Sequence, residues 1–401
     1  MAEFLKVMDY RTALQKLQAV TRARPTEIIP LIDSYNRMVA QEITSPEDLP
    51  SFSRSTVDGF ALFCEDTFGS SESLPAYLEL IGEVRMGFEP DFEVKRGQCC
   101  WIPTGGMLPS GANAVVMVEY TEMLEQTVLV YRPVSPWENI MQKGEDIKTG
   151  SSLFRPGSLL RPQDIGLLAS LGVVEIEVYK PYNIGILSTG NEVVPIQQKP
   201  IAGQIRDVNT YSIASAVGMC GNRAVTYPII ADNYAELKEA VAKALNDNEL
   251  VLISGGSSVG VMDITLDVLM SFTDSEMLFH GISVKPGEPT LAVKIGEKLV
   301  IGLPGHPVSA LMVFYILCLP LLGPISGTSL EAVSSLNIAS QAGRDDFIPV
   351  KLVEEQGNRF AQPILGKSGL MSIMSFADGY IHINYEKQGI LAGEKVIVYL
   401  F

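Results

Sequence analysis

The sequence predicts a multidomain α/β protein, and three observations carry that expectation. At roughly 100–200 residues per domain, 401 residues suggest two to four domains. Residues 183–322 alternate short apolar runs with helical patterns, the mark of βαβ units and a mainly parallel sheet flanked by helices. Residues 328–401 read as short alternating strands with no strong helix, which suits a small β-barrel.

The elements follow in order. Asp9 to about Arg22 predicts a helix, with Asp9 placed to cap its free N–H groups. A second short helix is expected over Pro30–Gln41. The stretch Glu42–Phe52 is rich in proline and acid and reads as a linker or boundary loop. From Leu78 to Arg132, runs such as Val115–Val118 and Val128–Tyr131 lie between Gly/Pro turns, which predicts a β-rich unit. A helix is expected over Pro162–Leu171, stopped by Gly172.

The central series then runs strand Asn183–Leu187, helix Thr210–Met219, strand Ala224–Ile230, helix Tyr234–Leu245, strand Leu250–Ile253 and helix Ile264–Phe272. Strands Leu278–Val284 and Leu299–Gly302 precede a last apolar helix. Its segment Ala310–Leu322 is 13 residues long and holds Pro320. A membrane span needs about 20 apolar residues, so a buried helix is expected. Gly323–Ser329 reads as a linker.

The chain carries 46 acidic and 30 basic residues, a net charge of −16. A nucleic-acid binder needs a basic face, so that class is disfavoured. An anionic substrate would need local cations or a metal to offset the field of the whole protein. Five cysteines without a CxxC pair, and only three histidines, argue against a tetrahedral zinc site and for a reducing, cytoplasmic setting. The N-terminus carries charge throughout and lacks the apolar core of a signal peptide.

In an open parallel sheet, ligands bind at the carboxyl ends of the strands. Four loops rich in small and polar residues are expected there: Ser188–Glu192, Ser254–Gly260, Lys285–Pro289 and Gly302–Ser309. Glycines let backbone N–H groups approach a ligand, and a following helix N-terminus favours an anion, so a phosphate or nucleotide site is expected. No GxxxxGK[ST] or opening GxGxxG occurs, which disfavours a Walker-type NTPase and a dinucleotide dehydrogenase. Glu192, Asp232 and Asp263 follow strand ends, where carboxylates suit Mg²⁺, a cation that takes oxygen ligands and bridges phosphates. Each alone could equally be a helix cap or a solvated acid. Lys285 could neutralise an oxyanion. His280 reads as a strand histidine, while His306, in a Gly-His-Pro turn, has better access to a ligand. Cys99 and Cys100, beside Trp101, are expected to be buried.

Read together, the motifs resemble the molybdopterin molybdenumtransferase family, that is, the MoeA-type proteins and the C-terminal domain of gephyrin. The resemblance rests on Ser55–Ala61 (SxxDGFA), Pro103–Glu119, Gly144–Asp146, Ser188–Glu192, Gly203–Asn209, Ser254–Thr265, Lys285–Pro289 and Gly302–Ala310, in collinear order. It implies a transferase that inserts molybdate into adenylylated molybdopterin with release of AMP in the presence of Mg²⁺. Related readings are the molybdopterin adenylyltransferase step and a gephyrin-like scaffold. The implied fold has a central three-layer α/β molybdopterin-binding domain (179–327) and a C-terminal barrel (328–401). It adds a β-rich module (46–139) and an elongated α+β module (1–45 with 140–178).

The implied molecule is a cytoplasmic homodimer with a shared active site. Its implied partners are an adenylyltransferase and apo-molybdoenzymes, with no nucleic acid and no membrane. Carried over by motif, Asp58, Thr104, Glu192, Asp263 and Lys285 are the implied catalytic residues. Glu192, Asp232 and Asp263 are the implied Mg²⁺ ligands. Ser188, Asp207, Asn209, Ser254, Gly255, Gly256, Ser257, Val259 and Gly260 would contact substrate. So would Pro286, Pro304, His306, Pro307 and Ser309, with Lys143, Arg344 and Ser372. Glu288 stands where the family's KPGKP pattern has a lysine, Lys143 is the one cation of Asn139–Gly144, and His280-Gly281 replaces a lysine-bearing pattern.

Overall fold

A computed structural model of the chain describes residues 7–21, 24–255, 259–323, 329–355 and 357–401, and only the backbone of 259–263. The chain forms two compact units. One comprises residues 1–40, 156–165 and 175–401, the other 41–155 and 166–174.

The first unit contains a six-stranded sheet of β1 (Asn183–Thr189), β2 (Arg223–Thr226), β3 (Leu250–Gly255), β4 (Ser275–His280), β5 (Leu291–Ile295) and β6 (Lys298–Leu303). Their order is β2-β1-β3-β6-β5-β4. The pairings β1–β2, β1–β3 and β3–β6 are parallel, while β5 is antiparallel to both β6 and β4. Two successive reversals make β4 run the same way as β6, so β1, β3, β4 and β6 all end at one edge.

The helices of the chain are α1 (Tyr10–Val20), α2 (Pro162–Ser170), α3 (Asn209–Met219), α4 (Tyr234–Asp247), α5 (Val259–Met270) and α6 (Pro307–Val313), with shorter turns beside them. Alternation along the strands builds three layers. Ile184, Ile186, Leu252 and Ile301 face Ile213 and Val217 of α3 together with Phe314 and Leu317. Val251, Ile253 and Val300 face Leu237 and Val241 of α4 with Val268 and Leu269 of α5. Each such side chain contributes about 1.5–3 kcal/mol by leaving water. Asp9 caps α1 as expected, its side chain accepting from Thr12 N at 2.9 Å.

Three sequence expectations are corrected. Pro30–Gln41 is not a helix. Thr26–Pro30 is a strand paired antiparallel with Glu175–Tyr179, only Leu31–Asp33 makes a helical turn, and Asn36 has a φ of +57° that no helix accommodates. The strand expected to Val284 stops at His280, because Gly281 turns the chain at a φ of +94°. The Glu42–Phe52 stretch is more than a linker, since Ile43–Thr44 pairs with Ser152–Phe154.

The last apolar helix is buried but not uniform: Phe314–Cys318 widens into a π-turn before Leu319–Leu322. Pro320 explains this. It has no N–H to give, and its ring crowds the carbonyl four residues back. That carbonyl, on Ile316, accepts the Tyr10 hydroxyl at 3.1 Å instead.

The C-terminal part of this unit is a small closed barrel. Strands β7 (Ser329–Ser334), β8 (Asp345–Glu355), β9 (Asn358–Pro363), β10 (Gly379–Ile383) and β11 (Lys395–Leu400) run in the order β8-β9-β7-β11-β10. The β8–β10 pairing closes the circle. Val350, Ala361, Ile381 and Val398 fill its centre.

The second unit is built on a curled six-stranded sheet. Gly59–Leu62 lies between Gln98–Ile102 and Ala114–Met117, and the sheet continues through Ala76–Glu83 to Thr127–Val130 and Thr121–Leu124. A methyl group on Gly59 would stand 1.9 Å from the Val116 carbonyl oxygen. Backbone cannot yield as a flexible side chain can. Gly59→Ala should therefore destabilise this unit by about 1–3 kcal/mol, the usual cost of overpacking. Urea denaturation followed by tryptophan fluorescence checks this, because Trp101 lies in the neighbouring strand and its ring meets Phe60 at 5.3 Å.

All five cysteines are buried and outside any disulfide. Burial pushes the Cys99, Cys100 and Cys220 thiols up to about 12. Among the described residues, no helix is long and apolar enough to cross a membrane.

Candidate active site

The loops that leave β1, β3, β4 and β6 gather at one edge of the sheet. Ser188 pairs with Ser254 and Thr189 with Gly255, so the first two loops depart side by side. Gly255 is required there, since a methyl group on it would lie 1.8 Å from the Thr189 hydroxyl oxygen. Asn191 and Asp232 lock the next loop across the edge. Asn191 N donates to Asp232 Oδ2 at 3.3 Å, and Asp232 N donates to Asn191 Oδ1 at 3.2 Å. Glu192 is exposed beside them. Its carboxylate folds back over Gly190, whose Cβ position lies 2.9 Å from Oε2.

This edge holds five buried polar atoms with no hydrogen-bond partner among the described residues: Thr189 Oγ1, Asn209 Oδ1, Thr210 Oγ1, Asp232 Oδ1 and Ser254 Oγ. Native proteins pair more than nine in ten such groups, because each one left unpaired costs about 1–3 kcal/mol. Their gathering at strand ends marks a place that something polar completes. Asp207 is buried and caps α3 by accepting from Thr210 N at 3.1 Å, which is a structural duty. Asn209 Nδ2 donates to Gly305 O at 2.9 Å and ties α3 to the fourth loop. Pro304 and Ser309 are buried in that loop, Pro307 opens α6, and His306 is exposed.

The donor chemistry at this edge suits a hard cation, which prefers oxygen. Asp232 offers an unpartnered carboxylate oxygen, Thr189 and Ser254 offer hydroxyls, and Glu192 is adjacent. Among the described residues, no three acids, histidines or cysteines stand close enough to hold a metal on their own. Gly256 and Ser257 lie outside the described residues. Val259 and Gly260 open α5, and the side chain of Asp263, on that helix, lies outside what is described.

The third loop is held from three sides. The Met8 backbone donates to Gly281 O at 3.0 Å and accepts from Ser283 N at 2.7 Å. Val284–Lys285 pairs parallel with Asp345–Asp346 of β8. Gly287, at a φ of +122°, packs so closely on Val313 that a Cβ would meet its methyl carbon at 2.4 Å. Lys285 thus stands exposed on a fixed backbone, with Pro286 following it.

Between this loop, the fourth loop and the barrel lies a cleft of about 1040 Å³. Lys285, Pro286, Pro304, His306, Ser309 and Arg344 line it, so sites far apart in sequence meet here. Ser372 opens the short helix Ser372–Phe376 and is not among the described lining residues.

Sequence reasoning missed Asp346, Lys367 and Ser368 of the cleft. Asp346 is almost fully buried and grips Arg344 through two bonds, Nε to Oδ1 at 2.8 Å and Nη2 to Oδ2 at 3.4 Å. Ser340 donates to the same carboxylate at 2.9 Å. Ser368 Oγ lies 3.1 Å from His306 Nδ1, and Lys367 precedes it on the cleft wall. The available signals were an acid two residues after Arg344 and a cation in the Gly366–Gly369 turn.

In the second unit, Asp58 and Thr104 meet. The Thr104 N–H and hydroxyl both donate to Asp58 Oδ1, at 2.6 and 2.9 Å. The backbone bond first, and the hydroxyl bond second, hold the Asp58 carboxyl below its ordinary range. It is thus an ionised, oriented carboxylate at neutral pH. Lys143, in the same unit, faces Asp48 at 3.7 Å, and its N–H donates to Ser53 Oγ at 3.1 Å.

Fold and cleft together define a multidomain α/β protein with a closed barrel and a cationic cleft at its strand ends. Comparison with known proteins makes this specific. The MoeA N-terminal region (domains I and II) matches residues 8–172, a probable molybdopterin binding domain matches 185–324, and the MoeA C-terminal region (domain IV) matches 331–401. A putative molybdopterin biosynthesis protein of Methanocaldococcus jannaschii is 35% identical over 99% of this chain and 95% of its own. A molybdopterin molybdenumtransferase of Haemophilus influenzae is 32% identical over 93% of each chain. The crystal structure of a molybdopterin biosynthesis MoeA protein from Pyrococcus horikoshii OT3 matches with a TM-score of 0.81 at 32% identity, over 99% of this chain and 100% of that one. The chain belongs to the MoeA family, the molybdopterin molybdenumtransferases of molybdenum cofactor biosynthesis.

Proposed function

We propose that this protein inserts molybdate into adenylylated molybdopterin and releases AMP, with Mg²⁺ required. Two observations carry the reading: five buried polar atoms at the strand ends have no partner among the described residues, and the third and fourth loops of the same edge line a cleft with Lys285 and Arg344. A pyrophosphate and a pterin offer the acceptors and donors those atoms lack. An oxyanion offers negative charge to the cations.

On this reading the strand-end loops hold the pterin nucleotide, and Lys285 and Arg344 hold the oxyanion. Asp346 fixes the Arg344 fork, so the oxyanion meets a donor already oriented. An oxyanion oxygen attacks the adenylyl phosphorus. The anhydride P–O bond breaks, and its electron pair stays with the phosphate left on the pterin. The two dithiolene sulfurs then bond to molybdenum: the molybdenum–oxygen bond to the adenylyl group breaks and AMP leaves with that oxygen, while a second oxygen of the oxyanion leaves as water with the two thiol protons. Lys285 Nζ offsets the charge that develops in the attack. Asp232 and Glu192, with Asp263, would hold Mg²⁺, which when bound supplies charge neutralisation at the phosphates.

Asp58, oriented by Thr104, belongs to the same reading as a residue given by one copy to the site of another in a homodimer. So does Lys143. The four-part division of the chain, a cytoplasmic setting, an adenylyltransferase that delivers substrate and apo-molybdoenzymes that receive product complete it. The test is direct. Purified protein given adenylylated molybdopterin, Mg²⁺ and molybdate should release AMP, read by chromatography. AMP at the level of the enzyme-free blank would remove the reading. Adenylylation of molybdopterin by ATP, with release of pyrophosphate, would instead assign the preceding step.

A further inference from the structure

The charge balance of the cleft turns on one residue. Its charged lining residues are Lys285, Arg344 and Lys367 against Glu288 and Asp346. Asp346 is spent on Arg344, and Glu288 stands three residues from Lys285 on the same loop. Without Lys367 the cations and acids of the cleft cancel. In a chain of net charge −16, a neutral cleft would sit in a negative field and repel an anion.

Lys367 is held so that it serves this cleft. Gly366 packs on Ile373, where a Cβ would meet the Ile373 methyl carbon at 2.5 Å. The Lys367 carbonyl accepts from Leu370 N at 3.0 Å, closing a turn. Ser368 O accepts from Val308 N at 3.1 Å, and Ser368 Oγ meets His306. The backbone on both sides of Lys367 is therefore fixed against the fourth loop. Its exposed side chain enters from the barrel wall, and among the described residues no ion-pair partner neutralises it.

We propose that Lys367 gives the cleft its positive sign and docks a tetrahedral oxyanion there, making it a specificity-determining residue of this chain. The inference rests on reading the cleft as the oxyanion site, and the test separates the two. Isothermal titration of the full-length protein with inorganic molybdate, and separately with inorganic phosphate, measures docking without turnover. Lys367→Ala should weaken oxyanion binding about tenfold, the size expected of one point charge at a partly screened site. Lys367→Glu should abolish it, Lys367→Arg should restore it to within about threefold, and Glu288→Gln should tighten it. The arm that moves tells the free metal oxyanion from a phosphate of the substrate. Lys351→Ala, on the barrel away from the cleft, should change nothing.

In the AMP assay, Lys367→Ala should raise the KM for molybdate and leave kcat at saturating molybdate unchanged; a merely structural lesion would lower kcat. Equal oxyanion affinity in wild type and Lys367→Ala, with a normal melting temperature, overturns the role of Lys367 alone. No oxyanion binding by the wild-type protein overturns the oxyanion site itself, and this inference with it.

Discussion

Lys285→Ala should lower kcat for AMP release by about 10²–10³-fold, the cost of removing one preorganised charge from a developing oxyanion. The fold should survive the change. The strand pair that places Lys285 is made by backbone: Val284–Lys285 lies against Asp345–Asp346, and the Met8 and Gly287 contacts do not involve the lysine side chain. The melting temperature should therefore stay within a few degrees of wild type, since surface substitutions usually shift stability by less than about 0.5 kcal/mol. Lys285→Arg should recover little, because a planar guanidinium fork with its charge spread over three nitrogens does not put a compact point charge at the same place. Steady-state kinetics at saturating molybdate checks this. A Lys285→Ala enzyme with wild-type kcat would show that the lysine only attracts substrate, leaving the chemistry to groups on the opposite wall.

Lys285 and Lys367 should thus separate in kinetics although they line one cleft. The first sits on a backbone bound to two other segments, so its charge can be aimed. The second is a long exposed side chain on an anchored turn, so it sets a field more than a position. A loss in kcat for one and in KM for the other is the signature of that division.

What the sequence made legible was local. The Asp9 cap and its helix follow from a few neighbouring residues, and the central βα alternation follows from hydrophobic period. Once strand and helix alternate, the strand-end loops share an edge by topology alone, which is why Ser188, Ser254, Lys285 and His306 could be named without coordinates. One misreading was local, the strand end at His280 set by the Gly281 turn, and the other gaps were non-local. Pro30, where a helix was expected to begin, instead ends a strand because Glu175 lies far along the chain to pair with it. At the π-turn Phe314–Cys318, the carbonyl displaced by Pro320 is taken up by Tyr10, from the other end of the chain. Asp346 and Lys367 become cleft residues only when the barrel closes and β8 pairs with the Lys285 loop. No spacing in the sequence announces that. Ser368, in the turn at Gly366–Gly369, lines the cleft, four residues before Ser372 at the start of its short helix.

Asp232→Asn should cut AMP release by about 10²–10³-fold while leaving the ligand-free protein as stable as wild type or more so. Two features of Asp232 pull in opposite directions. Its Oδ2 accepts from Asn191 N, a bond the asparagine oxygen can keep. Its Oδ1 is buried without a partner among the described residues, and a carboxylate in that state is costly to bury. The neutral amide costs less. A group retained against its own stability points to something it holds when the site is filled, as strained and unpaired groups at functional sites do. Added Mg²⁺ should therefore raise the melting temperature of the wild-type protein and have a weaker effect on Asp232→Asn, because a ligand that binds only the folded state stabilises it in proportion to its affinity. Differential scanning fluorimetry with and without Mg²⁺ reads this independently of turnover. Full activity in Asp232→Asn, or an equal Mg²⁺ shift in both proteins, would clear the residue of any role toward the cation. A drop in the stability of the ligand-free variant would show instead that Oδ1 already has a structural partner.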